Sequence, residues 1–199
     1  MIDCGMEQGP DLYENPGLPI PENEIDYVFL YSCTYRSFGN AAEIGKKTDL
    51  KVTDFLQHLS TADLCNIMLR DSAHIQEFEA EWRNRKGRRA GKPEFEPVYV
   101  MQDALDAIEL LVPCGYGERI TICDGIQIRF TDVGHLLGSA SIEVWATEGD
   151  VTKKIVFSGD IGNVDQPIIK DPSYTDSADY IVVESTYGNR IHTAEKPDY

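Results

Sequence analysis

The sequence predicts an α/β (α+β) domain in which layered sheets are flanked by helices. Three observations carry that reading. A helical hydrophobic period occupies the first half, strand-like alternation takes over after Pro113, and each late apolar run ends in a glycine-rich or acidic turn. With 199 residues, 42% of them apolar, the chain is long enough to bury a core.

Taken in order, Met1-Ile2-Asp3-Cys4-Gly5 reads as the end of a buried strand that turns at Gly5, with no earlier strand to pair with. Residues 7–24 contain Pro10, Pro16, Pro19 and Pro21 and read as a loop. Ile25 to Leu30, rich in β-branched and aromatic residues, predicts a short buried strand. Residues 31–58 show neither period. From Thr61 to about Arg83, the residues Leu64, Ile67, Met68, Ile75 and Phe78 recur at helical spacing, with Ser60 or Thr61 as the cap. Gln102 to Val112 predicts a second amphipathic helix that stops at Pro113 and Gly115. Ile120–Cys123 and Ile126–Phe130 flank Asp124-Gly125, a strong hairpin signal. Three more strands are expected over Ser141–Trp145, Lys154–Phe157 and Tyr180–Val183, and no internal repeat is visible.

Composition narrows the function classes. A formal charge of −16 argues against a whole-surface electrostatic grip on nucleic acid. Against that trend, five cations fall within Arg83–Arg89, just after Glu77, Glu79 and Glu81. Their ordinary role is a solvated helix end whose cations suit the negative helix terminus; a phosphate-contacting patch is the sharper alternative. The five cysteines (Cys4, Cys33, Cys65, Cys114, Cys123) are odd in number, scattered and without a C-x-x-C pair, which predicts reduced, mostly buried thiols. No apolar stretch reaches membrane-spanning length and no signal region opens the chain, so a cytoplasmic setting is expected.

The residues that carry chemistry are Gly134-His135-Leu136-Leu137-Gly138-Ser139-Ala140 and, about twenty residues later, Phe157-Ser158-Gly159-Asp160-Ile161-Gly162. They place one imidazole and one carboxylate on glycine-rich turns next to predicted strands. Neutral imidazole and carboxylate are ligands of hydrolytic Zn²⁺, and strand-end loops are where a rigid sheet can aim them at one point. Two ligands alone do not hold a catalytic metal.

In this order the landmarks resemble the metallo-β-lactamase fold, an αββα sandwich with metal at the edge between two sheets. The branch most similar is the β-CASP group of RNA-processing nucleases. Ile2–Met6, Asp71-Ser72-Ala73-His74-Ile75-Gln76, Gly134–Ala140, Ser158–Gly162 and Glu184-Ser185-Thr186-Tyr187-Gly188 stand as that branch has them. The resemblance implies that His135 is a metal ligand, that Asp160 is both a ligand bridging two zinc ions and part of the catalytic centre, and that Glu184 is a catalytic acidic residue at the end of Tyr180–Val183. It implies hydrolysis of RNA phosphodiester bonds by metal-bound hydroxide. His74 and His192 are left as helix-face and loop histidines, and Asp3 as a supporting group. The resemblance also implies that 1–199 is a partial metallo-β-lactamase domain, incomplete at both ends, with the β-CASP cap domain absent.

One segment departs from the pattern. After a strand such as Ile25–Leu30 the family places Thr-His-x-His-x-Asp-His-Ser-Gly, four of whose residues bind metal, whereas this chain reads Tyr31-Ser32-Cys33-Thr34-Tyr35-Arg36-Ser37-Phe38-Gly39. No histidine precedes His58. Tyr31–Gly39 can be encoded as TAC TCA TGC ACA TAT CGA TCA TTC GGG. Read from each second base, with Asn40 supplying the next A, the string becomes Thr-His-Ala-His-Ile-Asp-His-Ser-Gly. In the same frame, Asn40–Gly45 permits Met-Leu-Pro-Lys-Leu-Ala, and an adenine run at Lys46-Lys47 offers a place for a second slip. Residues 31–58 are therefore expected to be a frame-shifted segment, irregular in structure, in place of the metal-binding region. Two classes of function follow: an RNA hydrolase rendered inactive in this chain by loss of the motif, or a non-catalytic relative that uses the same fold as an interaction module, with a protein partner or a homo-oligomer left open.

Overall fold

The computed structural model describes residues 1–3, 5, 20–21, 24–32, 54–88, 91, 93–186 and 188–189. The loop expected over 7–24, most of the 31–58 segment, His192, Cys4 and Cys33 lie largely or wholly outside them.

Two sheets are stacked, with helices on one side. The first contains β1 (Tyr27–Leu30), β2 (Asp54–His58) and β3 (Leu111–Cys114), all parallel, in the order β1-β2-β3. Between β2 and β3 run α1 (Leu59–Arg88) and α2 (Met101–Glu109), the long crossover that parallel strands require. The second sheet has the order β4 (Ile120–Cys123), β5 (Ile126–Asp132), β6 (Ala140–Glu148), β7 (Val151–Phe157) and β8 (Tyr180–Val182). It is antiparallel from β4 to β7, and β8 joins β7 in parallel. The α/β two-sheet architecture expected from the sequence is the one observed.

Each layer has its own core. Ile25, Val28, Leu30, Cys65, Leu69, Ala73, Tyr99, Ala104 and Ala107 fill the space between the first sheet and the helices. Phe29 and Cys114 of the first sheet meet Ile128, Phe130, Ala140 and Ile142 of the second. Alternation along β1 sends Val28 and Leu30 to one core and Phe29 to the other, as the period of two dictates.

Several boundaries differ from expectation. Asp54–His58, part of the 31–58 segment expected to be irregular, is instead a strand paired on both sides, set by long-range pairing with β1 and β3 that no local alternation marks. Helix α1 starts directly after it at Leu59, so Thr61 does not cap. Its hydroxyl instead donates to the Gly138 carbonyl at 2.6 Å. Helix α2 ends at Glu109; Leu111 and Val112, expected to finish it, instead begin Leu111–Cys114, which pairs with β2 as an edge strand that tolerates Pro113. The Met1 segment does find a neighbour, because Ile2 bridges Phe29 in parallel, with Asp3 N–H and Phe29 N–H both bonded across.

The buried face of α1 also differs from the residues that reveal its period. Thr61, Cys65, Leu69, Ala73 and Ala80 face inward, and Ile67, Met68, Ile75, Phe78 and Trp82 lie exposed on the other side. Small inward residues let the helix approach the first sheet and α2 closely. His74 is exposed on this helix, as expected. Of the basic cluster, Arg83 pairs with Glu79 at 3.5 Å and Arg88 with Glu94 at 3.0 Å, and Lys86 lies over the Trp82 ring. A solvated helix end with two internal ion pairs fits these contacts. Cys65 and Cys114 are buried and Cys123 is exposed. Among the described residues no helix is long and apolar enough to cross a membrane.

Candidate metal-binding site

Strand direction gathers the candidate residues. β5 and β7 are both antiparallel to β6 and hence run the same way, and β8 is parallel to β7. The carboxyl ends of β5, β7 and β8 therefore lie along one edge of the second sheet. His135 follows β5, Asp160 follows β7 and Glu184 follows β8. The edge also receives the end of β1, since Ala140 N–H donates to the Tyr31 carbonyl at 2.7 Å.

His135 Nε2 and Asp160 Oδ2 are 4.0 Å apart, with side chains 38% and 37% exposed. Two turns hold them there. Asp132 Oδ1 accepts the Gly134 N–H at 3.0 Å, Ser139 Oγ accepts the Leu136 N–H at 3.2 Å, and Ser139 N–H returns to the Leu136 carbonyl. The turns also touch each other: Gly162 N–H donates to Val133 O, and a Cβ on Gly162 would collide with the Gly134 carbonyl. Glycine is required at 162 by that approach. At Gly159, φ is +59° and a side chain would strike the Ala140 carbonyl and the Tyr31 ring. Residue 31, where the departure from the family pattern begins, thus sits against the Asp160 turn.

Glu184 is brought to the same edge, with its carboxylate bonded to the Asp160 turn. Its Oε1 accepts the Ile161 N–H at 2.8 Å, and its Oε2 accepts the Thr186 hydroxyl at 2.9 Å. Its own N–H donates to Ser158 Oγ at 3.1 Å, and Ser158 N–H donates to the Val182 carbonyl. Asp3, at φ +53°, directs Oδ1 to the Tyr31 N–H at 3.5 Å, beside the site.

A support not evident in the sequence lies behind the His135 turn. The Tyr116 hydroxyl donates to the Ser139 carbonyl at 2.8 Å, and its ring stacks on His58, with centroids 3.5 Å apart and planes 7° from parallel. His58 Nδ1 accepts the Ser60 N–H at 3.3 Å. Burial lowers the His58 pKa, against an opposing pull from Asp132, and burial raises that of Tyr116, with Asp132 adding to the rise. Both groups are therefore held toward the neutral form. The Gly-Tyr-Gly context of residues 115–117 is the only local hint of this role.

The donor set can be tested against zinc. Zn–N and Zn–O bonds of about 2.0–2.2 Å place tetrahedral donors about 3.3 Å apart. The His135–Asp160 pair would need to close by less than 1 Å (4.0 Å against about 3.3 Å) to share an ion. It fits as two of the three protein ligands of a catalytic site. Among the described residues no cluster of three or more His, Cys, Asp and Glu is suited to a metal.

No protein-family model matches the chain. Curated relatives align along nearly its whole length. A ribonuclease of Thermus thermophilus is 28% identical over 196 residues, covering 96% of this chain and 39% of that protein. A probable RNase of Methanocaldococcus jannaschii is 29% identical over 199 residues, covering 98% and 42%. An RNase J-like protein of the same organism is 27% identical over 192 residues, covering 96% and 38%. The chain thus spans about two fifths of the length of these relatives. Among solved structures, the Rm3 metallo-β-lactamase superposes with a TM-score of 0.45 at 16% identity, over 85% of this chain and 54% of that one, a likeness too loose to transfer substrate or mechanism. The curated matches are ribonucleases and an RNase J-like protein, in line with the resemblance read from the motifs: the chain is similar to RNA-processing nucleases along nearly its whole length.

Proposed function

We propose that this chain carries part of a metal-dependent RNA phosphodiester hydrolase of the β-CASP type and does not itself cleave RNA. The observation that supports the reading most is the shared edge, where His135 and Asp160 meet at 4.0 Å and the end of β1 arrives beside them. The family's histidine motif would leave β1 at that point. A frame-shifted 31–58 segment accounts for its replacement by Tyr31–Gly39. His135 and Asp160 would be the residues of this chain that hold zinc. Zinc held there would supply activation of water and stabilisation of charge on the phosphate. With two family ligands instead of three or more, the site holds zinc weakly. A cytoplasmic setting and RNA as the substrate class belong to the same proposal.

Zinc stoichiometry and RNA cleavage test it. The chain should hold well under one equivalent of zinc after dialysis and leave single-stranded RNA uncut. A variant carrying Ser32→His, Thr34→His, Arg36→Asp and Ser37→His, with the flanking residues also changed to the family pattern, should take up zinc. Stoichiometric zinc with metal-dependent cleavage in the unchanged chain would overturn the proposed inactivity. The codons for 30–59 should encode His-x-His-x-Asp-His in an alternative frame, and their failure to do so would remove the frame-shift account. The second reading, an interaction module without catalysis, draws on the exposed apolar face of α1 (Ile67, Ile75, Phe78, Trp82) and gains if the restored variant binds no zinc.

A further inference from the structure

We infer that Glu184 is a positioning residue for the Asp160 turn, acting through the Ile161 amide, and that it is neither a metal ligand nor an acid or base. The inference rests on the reading of Asp160 as a ligand. Both Glu184 oxygens accept hydrogen bonds, Oε1 from the N–H of the residue directly after Asp160 and Oε2 from the Thr186 hydroxyl, and among the described residues Glu184 does not join His135 and Asp160 in a cluster suited to a metal.

The clamp follows from the topology. β7 and β8 are parallel neighbours, so the chain leaves both at one end. Ser158, one residue past β7, stitches the two exits together by donating its N–H to Val182 O and accepting the Glu184 N–H on Oγ. The Glu184 backbone is fixed by that pair of bonds, and its side chain reaches back over the turn to Ile161. Thr186 orients the carboxylate. On the His135 side Asp132 plays the matching part, since its Oδ1 accepts the N–H of Gly134, the residue just before the donor. Each of the two turns is thus held by a carboxylate bonded to an adjacent amide, and the separation of His135 and Asp160 depends on both. A bond to a carboxylate is stronger than one between neutral groups, but accepting the Ile161 N–H needs only an oxygen at that place.

The chemistry of the side chain separates a clamp from a ligand or a base. Glutamine keeps an acceptor oxygen on the same stem and loses the charge, whereas alanine loses both. In the full chain, Glu184→Ala should lower amide-exchange protection at Ile161 by about tenfold or more, and Glu184→Gln should retain it within about threefold. Titration with zinc ion alone, followed by the NMR shifts of His135, should show affinity weakened by about tenfold in Glu184→Ala and largely rescued in Glu184→Gln, the range typical when a residue supporting a ligand is lost. Equal loss of zinc affinity in the two variants would overturn the inference in favour of a ligand or charge role. Unchanged Ile161 protection in Glu184→Ala would overturn it outright. If zinc shifts neither His135 nor Asp160 in the unmodified chain, the metal reading fails, and the Ile161 exchange rates still decide whether the clamp exists.

Discussion

The two sheets are built on opposite plans. In the second, β4 to β7 follow one another as antiparallel neighbours, joined by short turns such as Asp124-Gly125 and Gly149-Asp150, so each pairing is local in the chain. In the first, every pairing is distant: β1 meets β2 across more than twenty residues, and β2 meets β3 only after α1 and α2. Local antiparallel pairing closes small loops and needs little from the rest of the chain, whereas parallel pairing depends on long closures and on the helices that cover it. His135 and Asp160 stand on the locally built sheet, and the segment that departs from the family pattern lies between two strands of the other. In the proposed reading, the two ligands that the chain retains, His135 and Asp160, both stand at the carboxyl ends of strands of the locally built sheet.

The largest expected effect comes from removing the contact between the two plans. Phe130, on β5, is fully buried in the core where Phe29 and Cys114 of the first sheet meet the second. Phe130→Ala should cost about 3–5 kcal/mol in urea denaturation, the range for a large aromatic lost from a packed core. A cost below about 1 kcal/mol would mean that the sheets are not joined by this core.

A smaller effect is expected on the outer face of the second sheet. There Glu143, with its side chain 0% exposed, takes bonds from Arg129 at 2.9–3.0 Å, from Thr131 at 2.8 Å and from Lys154. Trp145 lies under Arg119 beside them. Burial works to raise the Glu143 pKa, but hydrogen bonds from Lys154, Thr131 and Arg129 outweigh it and hold the carboxyl below its usual range. A carboxylate more acidic in the folded state stabilises the fold above its unfolded value of about 4.3. That contribution disappears as pH falls through the lower folded value. Glu143→Gln should cost about 1–3 kcal/mol at neutral pH and flatten the loss of stability at acid pH. An acid limb that keeps its slope in the variant would assign the dependence to other groups.

The same contrast explains what the sequence made legible. The hairpin at Asp124-Gly125, the alternation of Ile126, Ile128 and Phe130, and the glycine turns around His135 and Asp160 are local signals, and the structure follows them closely. Their adjacency follows from strand direction, which the order of β5, β6 and β7 already contains. Asp54–His58 was not legible, because a short centre strand is defined by partners far away in the chain. Pro113 looked like a helix stop and is an edge-strand residue, a distinction set by what pairs with it. In α1 the large apolar residues marked the period, while the buried face is set by Cys65, Leu69 and Ala73, which close packing selects and spacing alone does not reveal. Glu184 was legible as a residue of the site edge. Its bond to Ile161 depends on a side-chain direction that no spacing encodes.

The smallest effect tests the join at its covalent crossing. Tyr116 lies on the passage from β3 to β4, where the chain leaves one sheet for the other. Its ring stacks on His58 at the end of β2, and its hydroxyl donates to Ser139 in the His135 turn, so it touches both plans at once. Tyr116→Phe keeps the stack and removes one hydrogen bond, leaving the Ser139 carbonyl without that donor. A cost of about 0.5–1.5 kcal/mol is expected. Its position makes the change more informative than its size, because the lost bond anchors the turn that carries His135 and leaves the Asp160 turn untouched. Amide exchange should quicken across residues 134–139 and stay unchanged at Ile161. Equal quickening on both turns would show that the His135 and Asp160 turns move as one unit, and that their contact at Gly162 and Gly134 outweighs the separate anchors.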